Sequence, residues 1–153
     1  MTLKIHSKAP NFKLPNQANE IVELNKIKKN IVLFFYPKDN TPGCTKEAIS
    51  FTKYIADFNK LDYLIFGISK DSITKHQNFI KKQSLSVDLL SDESDKACEN
   101  YEVWVEKSMY GRKYMGIERT TFLIDSKKKI INIWPKVKVT DHVEEVLEFI
   151  KSS

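Results

Sequence analysis

Two unbroken apolar runs, Ile31 to Phe35 and Tyr63 to Ile68, constrain this chain more than any other feature of it. A half-exposed strand alternates apolar with polar residues. An unbroken run suits a strand buried on both faces, and that burial requires helices above and below the sheet. Between the runs, Ala48, Phe51, Ile55 and Phe58 recur at spacings of three and four, the stripe of an amphipathic helix. The pattern continues with a helix after Ser72 carrying Ile73, Phe79 and Ile80, a short strand over Val87 to Leu90, and a helical stripe of Ala97, Cys98, Tyr101 and Trp104. Thr121 to Asp125 and Ile130 to Trp134, joined by the polar turn Ser126 to Lys129, read as an antiparallel hairpin. Asp141 then stands as an N-cap with Glu144 as its capping-box partner, and Val143, Val146, Leu147 and Ile150 share one face. This order predicts an α/β fold with a central mixed β-sheet flanked by helices.

The chain of 153 residues has the length of one domain, 1–153, with no repeat or linker to divide it. Its longest apolar run, Ile31 to Tyr36, falls far short of the ~20 residues that span a bilayer, so no membrane contact is expected. Met1 to Pro10 lacks the apolar block of a secretory signal, which makes the cytoplasm the expected compartment. In that reducing setting the two cysteines, Cys44 and Cys98, are either inert filler or chemically active.

The net charge is +5, yet only two of the 25 basic residues are arginine, Arg112 and Arg119. The lysine runs at Lys26, Lys28, Lys29 and Lys127 to Lys129 lack interleaved aromatics and read as solvated surface, so no nucleic-acid partner is expected. A chain that writes nearly every positive charge as lysine keeps its arginines for planar geometry that lysine cannot supply.

Just past the first apolar run stands Tyr36-Pro37-Lys38-Asp39-Asn40-Thr41-Pro42-Gly43-Cys44, leading straight into the amphipathic helix. Thr41 suits an N-cap and Pro42 the first helical position, which places Cys44 in the first turn. There, unpaired backbone N–H groups and the positive end of the helix dipole favour a thiolate over a thiol.

These residues carry a resemblance. Pro37, Thr41 and Cys44 match the Pro-x-x-x-Thr-x-x-Cys motif of peroxiredoxins, and the stretch from Phe35 to Thr45 resembles the peroxiredoxin Q, or bacterioferritin comigratory protein, branch. The likeness extends to Ala9-Pro10-Asn11-Phe12, Leu90-Ser91-Asp92, Tyr101 to Lys107 and Arg119 to Asp125. It implies a thioredoxin-like fold and a thiol-dependent peroxidase acting on hydrogen peroxide and organic hydroperoxides. Cys44 would be the peroxidatic residue, with Thr41 and Arg119 beside it and Pro37 shielding it.

The chemistry of those residues suits such a role. Attack on a peroxide needs the O–O bond aligned with sulfur and the departing oxyanion stabilised. Thr41 offers a hydroxyl to accept from one peroxide oxygen, and Arg119 a rigid cationic fork. Glu47, one turn beyond Cys44, either orients Arg119 or is a plain exposed helix residue. No cofactor and no metal is required, because sulfur itself is oxidised and recycled. His6, His76 and His142 lack ligand spacing and are expected at the surface, and Trp104 and Trp134 are expected to pack.

A thioredoxin-type disulfide oxidoreductase is the competing reading. Thr41 stands where a Cys-x-x-Cys pair needs its first sulfur, and Thr120 where thioredoxins carry a proline before the strand. Within the resembled branch, many members place a resolving cysteine five residues after the peroxidatic one, where this chain has Ile49. Cys98 is then either a small core residue or a resolving cysteine reached by local unfolding and recycled by thioredoxin. The expected route is the one-cysteine route, with thioredoxin or a low-molecular-weight thiol as reductant and the chain as a monomer.

Overall fold

The computed structural model describes residues 2–153. Both apolar runs are strands at the centre of a five-stranded sheet. β3 (Asn30–Phe35) lies between β4 (Tyr63–Ser69), with which it pairs in parallel, and β8 (Thr120–Ile124), with which it pairs antiparallel. β5 (Asp88–Ser91) closes one edge in parallel and β9 (Ile130–Trp134) the other antiparallel, for an order of β5-β4-β3-β8-β9. The sheet is mixed, as expected.

Alternation along β3 divides the interior in two. Ile31, Leu33 and Phe35 face a core with Phe12, Leu24, Ile68, Leu90, Cys98, Tyr101 and Phe122. Val32 and Phe34 face the other, with Cys44, Phe51, Phe58, Phe79, Leu123 and Val146. The second face is covered by α1 (Pro42–Lys53), α2 (Ile55–Lys60), α3 (Ile73–Gln83) and α5 (His142–Lys151). Gly67 on β4 makes this packing possible. A Cβ there would meet the Phe34 ring at 2.7 Å, and Phe34 could not then stack on Phe51 of α1 at its ring-centroid distance of 4.5 Å.

The structure corrects several local expectations. The helix through Ala48 and Phe58 is broken at Tyr54, whose ψ of 9° leaves the helical range, into α1 and α2. The stripe ending at Trp104 forms only one turn, α4 (Ala97–Asn100). Glu102 turns left-handed at φ 63°, and the Glu102 and Val103 N–H groups close back on the Glu99 and Cys98 carbonyls, which terminates the helix as a Schellman motif. Asp141 is itself left-handed and makes no capping bond with its side chain, so the expected capping box does not form. Lys128 is buried rather than solvated, its ammonium donating to the carbonyls of Ile27 and Ser126.

Two hairpins went unforeseen, β1 (Lys13–Pro15) with β2 (Ile21–Glu23), and β6 (Trp104–Met109) with β7 (Arg112–Ile117). The second is a two-stranded ribbon turned by Tyr110 and Gly111, both at positive φ. Its largely exposed residues carry no apolar alternation to betray it.

Candidate active site

β3 delivers the chain into the loop that begins at Tyr36, and Asn40 turns it at φ 62°. Thr41 has N-cap backbone angles, and its carbonyl accepts the first helical bond from the Thr45 N–H at 2.8 Å. Its hydroxyl, however, donates to the Lys38 carbonyl at 2.8 Å instead of capping α1. Pro42 opens the helix, so Cys44 falls in the first turn, with only 1% of its surface exposed. Pro37 lies exposed in the loop.

Strand pairing brings Arg119 to this point. Phe35 at the end of β3 pairs with Thr120 at the start of β8, so Arg119 sits beside the place where β3 gives way to the loop. Its Nη2 donates to Cys44 Sγ at 3.3 Å and its Nη1 to Glu47 Oε1 at 2.8 Å. Gly43 admits this approach, since a Cβ there would lie 3.1 Å from Arg119 Nη2.

Glu47 is a partner of Arg119 and not an exposed helix residue. Its side chain is 0% exposed, and Oε2 has no hydrogen-bond partner among the described residues. Burial pushes the Glu47 carboxyl up to about 7, with the Arg119 charge only partly opposing it. For Arg119, burial works against the charge, but the Glu47 and Cys44 charges outweigh it and raise the guanidinium above its ordinary value. One molecular fork thus holds a thiol sulfur and a carboxylate at once.

Lys107, to which the sequence analysis gave no role, is a further cation of this neighbourhood. Its ammonium donates to the Ile117 carbonyl, and its stem crosses Gly116, where a Cβ would lie 3.2 Å from Lys107 Cδ. Burial and the Arg119 charge lower its pKa, while Cys44 acts to raise it.

The histidines divide. His6 is exposed as expected, but His76 and His142 are buried. His142 shares a hydrogen bond of 2.8 Å with Thr121, and burial, with the Arg119 charge, pushes its pKa down to about 4, so it is a neutral imidazole. His76 lies among Asp39 and Asp71, the three offering ligand-type atoms within 4.8 Å of one another; His76 Nδ1 bonds Asp39 Oδ2, and Asp71 Oδ2 accepts from the Asp39 backbone N–H and the Ser69 hydroxyl. Its place on the inner face was readable, because Ile73, His76 and Phe79 follow at spacings of three. Trp104 and Trp134 pack half-buried against the two cores.

Cys98 is wholly buried on the far side of the sheet from Cys44, its N–H donating to Asp92 Oδ2 at 2.8 Å. Burial above all, and then the Asp92 charge, raises its thiol pKa far above the ordinary value. Ile49 is 43% exposed on α1.

A cysteine at a helix start, gripped by an arginine at the end of a central strand, defines the class. The AhpC/TSA family matches residues 5–133, and the chain belongs to that family. It is a peroxiredoxin on a thioredoxin-like fold, a thiol-dependent peroxidase. Among curated relatives, peroxiredoxin Bcp of Bacillus subtilis is 48% identical over 152 residues, covering 99% of this chain and 97% of that one. The bacterioferritin comigratory protein of Xanthomonas campestris, solved in trapped-intermediate and ligand complexes, superposes with a TM-score of 0.89 at 35% identity, covering 99% and 97%. A yeast mitochondrial 1-Cys peroxiredoxin superposes with a TM-score of 0.83 at 26% identity, covering 98% of this chain and 76% of that one.

Proposed function

We propose that Cys44 is the peroxidatic residue of this peroxidase and that it works by the one-cysteine route on hydrogen peroxide and organic hydroperoxides. The observation that carries the reading is the contact of Arg119 Nη2 with Cys44 Sγ at 3.3 Å, inside the first turn of α1. The Cys44 thiolate attacks the nearer peroxide oxygen, the O–O bond breaks, and the alkoxide or hydroxide leaves and takes up a proton. Sulfur becomes Cys–SOH. Arg119 orients the peroxide and stabilises the departing charge, while Glu47 holds the fork in place. Because the Thr41 hydroxyl spends its proton on the Lys38 carbonyl, its lone pairs are left to accept from the peroxide. Pro37 shields the sulfur from the loop side.

The sulfenic acid is then attacked by an external thiol, releasing water and leaving a mixed disulfide, which a second thiol reduces to Cys44. Resolution by Cys98 would have to carry a sulfur from one core to the other across the sheet, and Ile49 offers none nearby. The Xanthomonas relative is described for alkyl peroxide reduction and the yeast relative for thiol resolution through glutathione and thioredoxin systems, which supports these substrate and reductant classes. The reading takes the protein as a monomer of one domain. Two free cysteines suit the reducing cytoplasm, and no described helix is long and apolar enough to cross a membrane.

The test is mass spectrometry of peroxide-treated protein alongside Cys44→Ser. A sulfenic acid or its trapped adduct on Cys44, with no peroxide consumption by the variant, is the expected result. Wild-type turnover by Cys44→Ser would end the assignment.

A further inference from the structure

Five residues before Cys44, Asp39 is held through both its buried carboxylate and its backbone N–H. Its carboxylate accepts from the Tyr36 hydroxyl at 2.6 Å and meets His76 Nδ1 of α3 at 2.6 Å. Its N–H donates to Asp71 Oδ2 at 2.8 Å, the same oxygen that takes the Ser69 hydroxyl from the end of β4 at 2.8 Å. Ser91 at the end of β5 donates to the Asp71 carbonyl at 2.6 Å. The chain that leads into the catalytic helix is thereby tied to the ends of β3, β4 and β5 and to α3.

Hydrogen-bond chemistry fixes where the proton sits. His76 Nε2 faces the Leu90 carbonyl at 3.0 Å, and a carbonyl only accepts, so Nε2 carries a hydrogen. Nδ1 faces a carboxylate oxygen, which again only accepts unless protonated. One proton therefore lies between Asp39 and His76 and bonds them directly at 2.6 Å. An apolar residue of similar volume would pack here at no desolvation cost, but it could not hold the loop.

The helix start needs such a hold. α1 has no side-chain cap, since Thr41 bonds backward to Lys38, and Asn40 sits left-handed directly after Asp39. Besides the grip of Arg119 on Cys44 and Glu47, the hold on the first turn comes from the loop N-terminal to it.

We propose that the Asp39–His76 pair is the latch that keeps the first turn of α1 folded around Cys44. In doing so it sets the balance between the peroxide-reactive site and the opened turn in which the sulfenic acid is accessible to a reductant thiol. Its second half rests on Cys44 being the peroxidatic residue; its first half does not. Asp39 and His76 are positioning residues, acting on Cys44 through the backbone of residues 39–44.

The experiment compares wild type, Asp39→Ala and Asp39→Asn, the last keeping a side chain that can bond neutral imidazole. Hydrogen exchange of the amides of residues 45–48, the first of which bonds the Thr41 carbonyl and closes the turn, reads the latch. Asp39→Ala should lose about tenfold or more of their protection, with β3 and β4 amides unchanged, and Asp39→Asn should recover part of it. Stopped-flow kinetics reads the consequence. The rate with hydrogen peroxide should fall about tenfold or more in Asp39→Ala, while the rate of its preformed sulfenic acid with dithiothreitol rises several-fold. Unchanged protection at 45–48, or an equal loss throughout the sheet, overturns the latch. Both half-reactions slowing together overturns the balance it is said to set. Should Asp39→Ala not fold, Asp39→Asn decides, by whether its losses stay within residues 45–48 or spread through β3 and β4. Exchange that behaves as expected while Cys44 is not oxidised in wild type refutes the peroxidatic reading and spares the latch.

Discussion

Cys44 and Cys98 pack against opposite faces of the central sheet, one among Phe34, Phe51 and Val146, the other among Phe35, Tyr101 and Phe122. A disulfide needs their Cα atoms within about 7 Å, so joining them requires one core to open.

Replacing Cys98 should therefore leave turnover nearly intact. We expect Cys98→Ala to consume peroxide within about twofold of wild type when dithiothreitol is the reductant, the smaller side chain costing about 1 kcal/mol of stability. Alkylation followed by peptide mass spectrometry should label Cys44 well before Cys98, whose thiol is buried and faces the Asp92 charge. A Cys44–Cys98 disulfide in peroxide-treated protein would contradict the expectation.

Arg119→Lys keeps the charge but cannot reach Cys44 Sγ and Glu47 Oε1 together. A rate loss of about 10- to 100-fold with peroxide is expected, in line with one lost preorganised donor. Circular dichroism should show the fold retained. Stopped-flow rates equal to wild type would remove Arg119 from the chemistry.

Gly43→Ala tests the approach of that arginine from the other side. The new methyl would lie 3.1 Å from Arg119 Nη2, so the fork must slide by a few tenths of an ångström. We expect a peroxide rate lowered by roughly threefold to tenfold, with a helix at least as stable, since alanine favours helix over glycine by about 1 kcal/mol. Comparing rate with thermal midpoint separates the two effects.

Stability should respond to pH through two buried groups of opposite sign. Glu47 has a carboxyl raised from 4.5 to about 7, so its contribution is present at low pH and is lost as pH rises through that window. His142 is lowered from 6.5 to about 4, so its contribution is present above that window and is lost as pH falls through it. Each shift is worth on the order of 3 kcal/mol, and where the windows overlap the two oppose each other. Glu47→Gln removes one side of the balance. Urea melts of this variant should show stability falling between about pH 6.5 and about pH 4.5, more steeply than wild type. Parallel curves would show that Glu47 does not titrate in this range.

Short-range physics was legible in the residues alone. Ile31 to Phe35 and Tyr63 to Ile68 suited strands buried on both faces, and Thr41-Pro42 suited a helix start with Cys44 in its first turn. Arginine among so many lysines marked residue 119 as geometric. Tertiary structure alone decided the rest, because those contacts join residues far apart in the chain. Arg119 meets Cys44 across 75 positions only because Phe35 pairs with Thr120. Glu47 falls on the same helical stripe as Cys44, Ala48 and Phe51, but the charge that partners it there, Arg119, is supplied only by strand pairing. The helical spacing of His76 with Ile73 and Phe79 carries its burial, but its partner Asp39, 37 positions earlier in a loop without periodicity, comes only from the tertiary structure. The two cysteines were placed apart by the parity of a strand, which sends successive side chains of β3 into different cores, and by the crossings that put α1 over one and α4 over the other.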